Sequence, residues 1–150
     1  MKVMATGTFD ILHPGHGLYL EKAKQLGGGD SKLIVVVARD STVHAKKRVP
    51  IVDEDQRLKM VKLLKPVDEA YLGHKTDMFR IVEEIKPDII AIGSDQKFDI
   101  DHIKNQLKVR NLSSKVLRVE NYYNSNLDST CKIIKKIKNT TFKESTFKDC

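Results

Sequence analysis

The sequence predicts a doubly wound α/β domain on a parallel five-stranded sheet, and three observations lead there. Short, nearly solid apolar runs alternate five times with stretches whose apolar residues recur at helical spacing. That is the pattern of strands covered on both faces by the helices between them. The longest apolar runs, such as 33–38 (LIVVVA), are strand-length. The first run also passes through a glycine turn into a His-Pro-Gly-His step, where proline marks the start of a helix.

The elements follow in order. The first strand is 2–6, carried by Val3, Met4 and Ala5. A helix over 16–26 places Tyr19, Ala23 and Leu26 on one stripe, and Gly27, Gly28 and Gly29 stop it. The second strand is 33–39. A helix over 54–64 presents Leu58, Val61 and Leu64, and Asp53 with Gln56 is placed as a start resembling a capping box. The third strand is 69–72. Met78, Ile81, Val82 and Ile85 then form an i, i+3, i+4, i+7 face that Pro87 terminates. A fourth strand at 88–92 precedes a helix marked by Ile100, Ile103 and Leu107. A fifth at 115–119 precedes a last helix marked by Ile133, Ile134 and Ile137. No repeat or linker interrupts this series, so residues 1–138 read as one domain. Residues 139–150 are polar and aperiodic and read as a loose, flexible tail.

Composition narrows the function classes. A chain of 150 residues suits one domain with one real core. No stretch resembles a signal peptide or a membrane span. Two cysteines, Cys131 and Cys150, argue against a disulfide scaffold and for a reducing compartment, which places the chain in the cytoplasm. The net charge of +7 is concentrated late: Lys132, Lys135, Lys136, Lys138, Lys143 and Lys148 face only Glu144 and Asp149 after residue 128. No aromatic residues interleave with these lysines to form a stacking platform. The excess therefore reads as a solvated basic face with modest attraction for anionic substrates. Neither nucleic acid nor membrane is expected as a partner, and a homodimer is an allowed assembly.

The residues that carry chemistry are 7–16, GTFDILHPGH. Pro14 suits a first helical position because its missing N–H would have had no partner there. Gly15 removes a side chain where a ligand's phosphates must approach backbone. His13 and His16 are three apart, which in a first helical turn projects both to one side. The helix start beside them offers unpaired N–H groups and a positive dipole end. Together these make a phosphate site beneath two imidazoles, which points to phosphoryl-group chemistry on a nucleotide. No Walker-type loop and no GxGxxG competes. The motif also follows the first strand, and in a doubly wound sheet ligands bind beyond the C-terminal strand ends, where strand order reverses.

Residues 7–16 resemble the opening motif of the HxGH nucleotidyltransferase superfamily, and the GTFD form resembles its cytidylyltransferase branch. The stretches 37–40 (VARD), 50–57 (PIVDEDQR), 64–68 (LKPVD) and 86–99 (KPDII through Asp99) are similar to archaeal FAD synthetases. The likeness covers about residues 2–137 and implies a Rossmann-like nucleotidyltransferase fold. It also implies FMN adenylyltransferase activity, in which ATP and FMN give FAD and pyrophosphate with a divalent metal cation. By the same resemblance His13 and His16 are the catalytic pair that contacts the nucleotide's phosphates, within a binding segment that includes Pro14 and Gly15. Thr8 and Phe9 fall where the family places backbone contacts to the nucleotide. Gly93-Ser94-Asp95-Gln96 resembles a loop that holds the nucleoside, with Asp95 its polar contact. Asp128-Ser129-Thr130 resembles a divergent Ser/Thr-rich phosphate motif, in which Cys131 and Lys132 stand where other residues are usual. Tyr122 falls where relatives carry a nucleotide-contacting tyrosine, with Tyr123 beside it.

Adenylyl transfer to FMN needs no protein base, because the attacking phosphate is already anionic at neutral pH. The work is to align two anions and to stabilise charge building on the α-phosphate and the departing pyrophosphate. His13, His16 and loop cations such as Lys46, Lys47 or Arg48 suit that work. Each secondary candidate also has a plainer reading. The Lys46–Lys47–Arg48 run also reads as a solvated loop, Arg57 can bind phosphate or pair with Asp53 or Asp55, and Asp10 can touch metal or orient the turn. Ser129 and Thr130 can serve as an N-cap. Cys131 reads as a half-buried structural cysteine, and His44, His74 and His102 as surface residues without ligand spacing. Phe9, Phe98 and Tyr122 are candidates to stack on the flavin ring. The motif alone leaves other acceptors open: glycerol-3-phosphate with CTP, or phosphopantetheine with ATP. It also leaves a non-catalytic nucleotide- or RNA-binding module on the same fold.

Overall fold

The computed structural model describes residues 1–120 and 123–142. Five strands form one parallel sheet: β1 (Lys2–Gly7), β2 (Lys32–Val37), β3 (Glu69–Leu72), β4 (Ile89–Gly93) and β5 (Lys115–Val119), in the order β3-β2-β1-β4-β5. The chain steps outward from β1 to β3 and then crosses back to place β4 on the other side of β1. The strand order therefore reverses between β1 and β4, the position where such sheets open a crevice at their C-terminal edge.

Alternation along the strands builds two cores. Val3, Ala5, Leu33, Val35 and Val37 face one side with Tyr19, Leu20 and Ala23 of α1 (Pro14–Gln25). Met4, Ile34, Val36, Ile90 and Ile92 face the other side with Phe79, Ile81, Val82, Ile85, Ile103 and Leu107. A period of two in solid apolar strands feeds both faces, which is why these runs show no polar alternation.

The remaining helices are α2 (Asp40–Ala45), α3 (Glu54–Lys62), α4 (Arg80–Ile85), α5 (Ile100–Val109) and α6 (Thr130–Asn139). α3 starts as expected, with the Asp53 carboxylate accepting from the Gln56 N–H at 2.9 Å. α2 is additional to the expected elements, and one buried residue, Val43, holds it. Met78 departs from the expected face: it is 56% exposed, and Phe79 at 8% takes the buried place. The Asp77 carboxylate accepts from the Phe79 N–H at 2.9 Å, so a side-chain turn delays the helix to Arg80. α6 reaches Asn139, one residue beyond the expected domain limit, and none of its residues is fully buried. Residues 143–150, with Cys150, lie outside the described residues. No helix among the described residues is long and apolar enough to cross a membrane.

Candidate active site

The His-Pro-Gly-His step is a helix cap made of two histidines. His13 is the N-cap of α1, with Pro14 first in the helix and His16 at its third position. The Gly15 N–H donates to His13 Nδ1 at 3.1 Å, and the His13 N–H donates to His16 Nδ1 at 3.2 Å. This is the reciprocal geometry of a capping box, built with imidazoles in place of Ser and Glu. The ring centroids lie 4.0 Å apart. Because Nδ1 of each ring accepts a backbone proton, each neutral ring carries its own proton on Nε2. Each thus keeps one donor that the cap does not use.

Burial reinforces that state. The His16 imidazole is pushed down to about 4, by desolvation first and by neighbouring His13 second, against the opposing pull of Asp95 and Asp10. His13 is also lowered, by burial first, against Asp128 and Asp95. Both rings are therefore neutral donors at neutral pH.

Two glycines of the motif make room for rings. A Cβ at Gly15 would lie 2.7 Å from His13 Cε1 and 2.8 Å from Nδ1, and 3.3 Å from Tyr123 Cδ1. Gly15 thus serves the His13 ring, where the sequence suggested a close approach of phosphate to backbone. A Cβ at Gly7 would stand 2.8 Å from Phe9 Cε2 and Cζ. Phe9 takes a left-handed backbone (φ 53°) and folds its ring beneath Gly7, 2% exposed, with its centroid 5.6 Å from that of His16. A ring so buried is a support for His16 and cannot stack on a flavin.

Three further expectations change. The unpaired amides expected at the start of α1 are partly consumed: the Gly15 N–H is held by His13 Nδ1, and the His16 N–H donates to the His13 carbonyl at 3.0 Å. Arg57 binds neither phosphate nor Asp53 or Asp55; it is 1% exposed. Its guanidinium donates to the carbonyls of Val52, Thr8 and Ala38 at 2.9, 2.6 and 2.8 Å and to Asp40 Oδ1 at 2.7 Å. A lone arginine near a helix start gives no sign of such a role, because its acceptors are backbone atoms from three separate segments. Cys131, expected to be half-buried, is exposed.

Asp10 spends both carboxylate oxygens on the chain itself, accepting from Ile51 N–H at 2.9 Å and Val52 N–H at 2.8 Å. Among the described residues no group of three or more His, Cys, Asp or Glu is arranged to hold a metal ion. Asp10 acts as the strap that ties the 49–52 loop to the motif.

The other candidates gather around the histidines to different degrees. Asp95 is exposed on the loop after β4 and acts electrostatically on both rings. Ser129 caps α6, accepting from the Lys132 N–H at 3.2 Å. The Thr130 hydroxyl donates to the Ile11 carbonyl at 3.0 Å, which pins the start of α6 to the motif loop. Two helix N-termini, neither with an acidic residue in its first turn, therefore meet at this loop, an arrangement favourable to anions. Lys46 follows α2 and reaches across the sheet end to sit 5.2 Å over the ring of half-buried Phe98. Lys47 is exposed with a left-handed backbone (φ 57°). Thr8 contributes its carbonyl to Arg57. Tyr123 lies beside Gly15, while Tyr122 lies outside the described residues.

Sequence reasoning named Gln96 only as a member of the nucleoside loop and overlooked Arg118. Gln96 bridges the ends of β1 and β4, and Arg118 of β5 grips the loop between them. The available signal was Arg118 itself, a charge within the otherwise apolar end of a strand (VLRV).

With this geometry in place, similarity to known proteins adds the chemistry. A family model described as cytidylyltransferase-like matches residues 4–136. The chain is 67% identical to the FAD synthase of Methanobrevibacter ruminantium over 96% of both chains. It is 63% identical to the FAD synthase of Methanothermobacter thermautotrophicus, over 99% of this chain and 98% of that one. A solved structure from Thermoplasma volcanium, described as a lipopolysaccharide core biosynthesis protein, superposes with a TM-score of 0.77 at 48% identity. It covers 83% of this chain and 98% of its own.

Proposed function

The chain belongs to the cytidylyltransferase-like family, and on that premise we propose that it transfers AMP from ATP to FMN, giving FAD and pyrophosphate. It is a nucleotidyltransferase whose acceptor follows from its FAD synthase relatives, 67% and 63% identical over nearly the whole chain. That similarity selects FMN with ATP over glycerol-3-phosphate with CTP or phosphopantetheine with ATP. The observation that carries the chemistry is the pair of capped imidazoles at the β1–β4 reversal, each with Nε2–H left over for substrate.

The step is an in-line displacement. A phosphate oxygen of FMN forms the new bond to the α-phosphorus of ATP as the bond to the pyrophosphate oxygen breaks, and no enzyme-bound intermediate intervenes. No proton has to leave the nucleophile. His13 and His16 donate Nε2–H to oxygens that gain charge in the transition state. The two helix N-termini add positive potential, and Lys46 and Lys47 stand on the approach to the same strand ends. A divalent cation enters with the phosphates of ATP as part of the substrate. The cysteine usage of the sequence supports work in the reducing cytoplasm.

The test is a product assay. The protein is incubated with magnesium and either ATP or CTP, against FMN, glycerol-3-phosphate and phosphopantetheine in turn. FAD from ATP and FMN alone is the expected result. Product with another acceptor would reassign the substrate, and pyrophosphate from no pair would leave a binding module.

A further inference from the structure

β1 stays paired with β2 up to Gly7 and Val37, but it parts from β4 after Ala5 and Ala91. Beyond that point side chains close the split. The Tyr19 hydroxyl, from α1, donates to the Ala91 carbonyl at 3.0 Å. One step further on, Gln96 Nε2 donates to the Thr6 carbonyl at 2.7 Å and Gln96 Oε1 accepts from the Gly93 N–H at 2.8 Å. The amide has only one productive orientation, because the Thr6 carbonyl can only accept and the Gly93 N–H can only donate. The carboxamide therefore stands in for the peptide group of a missing ladder rung.

The loop that supplies it is itself fixed. Arg118 Nη1 donates to the carbonyls of Gly93 and Gln96 at 2.9 and 3.0 Å. The Gln96 N–H also donates to the Gly93 carbonyl at 3.2 Å. Ser94 and Asp95 are left at the exposed corners of this closed turn.

We infer that Gln96 is a positioning residue for the nucleotide half of the reaction. Its carboxamide sets the width of the β1–β4 split and thereby the place of Asp95 relative to His13 and His16. The inference rests on the reading that ATP lies over this split. Thr6 immediately precedes the GTFD turn, so any widening at Thr6 and Gly93 moves the histidine motif away from the nucleoside loop. FMN, held at the other end of the reacting phosphate, does not depend on that width.

Two variants separate positioning from a general structural role. Gln96→Leu keeps the bulk and loses both bonds. Gln96→Glu can accept from Gly93, but as a carboxylate it opposes the Thr6 carbonyl; once protonated, its O–H can donate there as the amide does. The facing Thr6 carbonyl oxygen favours that protonated form. The measurements are KM for ATP and for FMN, and the Kd of ATP alone by calorimetry, from about pH 5.5 to about pH 8. Gln96→Leu is expected to weaken ATP about tenfold or more while leaving the FMN KM within about twofold. Gln96→Glu is expected to match it at about pH 8 and to regain ATP affinity relative to wild type as the pH falls.

Unchanged ATP affinity in Gln96→Leu, equal weakening of ATP and FMN, or a pH-independent Gln96→Glu defect would each overturn the assignment. If Gln96→Leu does not fold, the Gln96→Glu series decides the question. A wild-type chain that binds ATP but makes no FAD refutes the proposed activity alone, since the ATP Kd series still decides the role of Gln96.

Discussion

Replacing Arg57 with methionine tests whether this cation belongs to the scaffold or to the substrate. Its side chain is fully buried, 0% exposed, and makes four hydrogen bonds. Methionine keeps much of the apolar stem and removes every donor. Three carbonyls, from Thr8, Ala38 and Val52, then lose their partner, and the Asp40 carboxylate loses its counter-charge. Four charge-assisted bonds at about 1.5–3 kcal/mol each would sum to roughly 6–12 kcal/mol. That sum overshoots, because the Asp40 side chain is 31% exposed and water can replace its guanidinium. Breaking a buried pair from one side costs about 3–5 kcal/mol, and we adopt that range. For a chain of this length it corresponds to a Tm lower by roughly 6–20 °C. The assay is urea and thermal unfolding of wild type and Arg57→Met, with FAD formation measured below the lower Tm. A variant within about 1 kcal/mol of wild type but with weakened ATP binding would refute the reasoning and return Arg57 to the phosphates.

Three other perturbations address the motif directly. His16→Ala is expected to lower turnover by roughly 10²–10³, the range for one lost transition-state donor, and near-wild-type kcat in a rapid-quench assay would remove His16 from the chemistry. The His16 pKa of about 4 also makes a stability prediction. The folded value lies below the unfolded one of about 6.5, so the unfolded chain binds more protons between them. Stability from this ring is therefore complete above about pH 6.5 and is lost as pH falls toward 4, by roughly 3 kcal/mol in all. Urea unfolding across that window should show a slope in wild type that flattens in His16→Gln, and equal slopes would contradict the burial argument. Gly15→Ala should cost at least about tenfold in kcat, because its Cβ displaces the His13 ring, yet change stability by only about 1 kcal/mol. The lost cap and the better helix propensity of alanine nearly offset each other there. A large loss of stability with intact turnover would reverse that assignment.

The inner strands β1, β2 and β4 were legible because burial on both faces leaves a signal in nearly every residue of a run. Val35 and Val36 point to opposite cores, and each must be apolar. Helix α2 was not legible, since six residues with a single buried valine carry no periodicity. Met78 misled for a related reason: the i, i+3 count fits a helix that starts early, and only the Asp77 turn shows that it does not. At the site, His13, Pro14, Gly15 and His16 could be read because neighbours in sequence satisfy one another. Arg57, Gln96 and Arg118 donate to backbone carbonyls 5–90 positions away, and a backbone acceptor has no residue type to betray it. Asp10 belongs with them: its partners, the amides of Ile51 and Val52, would be the same in any sequence.

In the mechanism we propose, the cap and the chemistry of this motif are two uses of one ring. An N-cap must accept a proton from the helix, and a transition-state donor must give a hydrogen bond to the substrate. Serine or aspartate at position 13 would satisfy the first need while placing no N–H outward. Imidazole does both with two nitrogens, provided that Nδ1 stays unprotonated, and the Gly15 N–H enforces that condition on His13 as the His13 N–H does on His16. A spacing of three between the histidines is then the spacing of a reciprocal cap, which also brings the ring centroids to 4.0 Å. Proline fits between them because the first helical position needs no N–H. Glycine fits because a Cβ would occupy the space of the His13 ring. Protonating Nδ1 would break a cap and place charge beside a second half-buried ring, so helix stability itself holds the pair in the state that the proposed transfer uses.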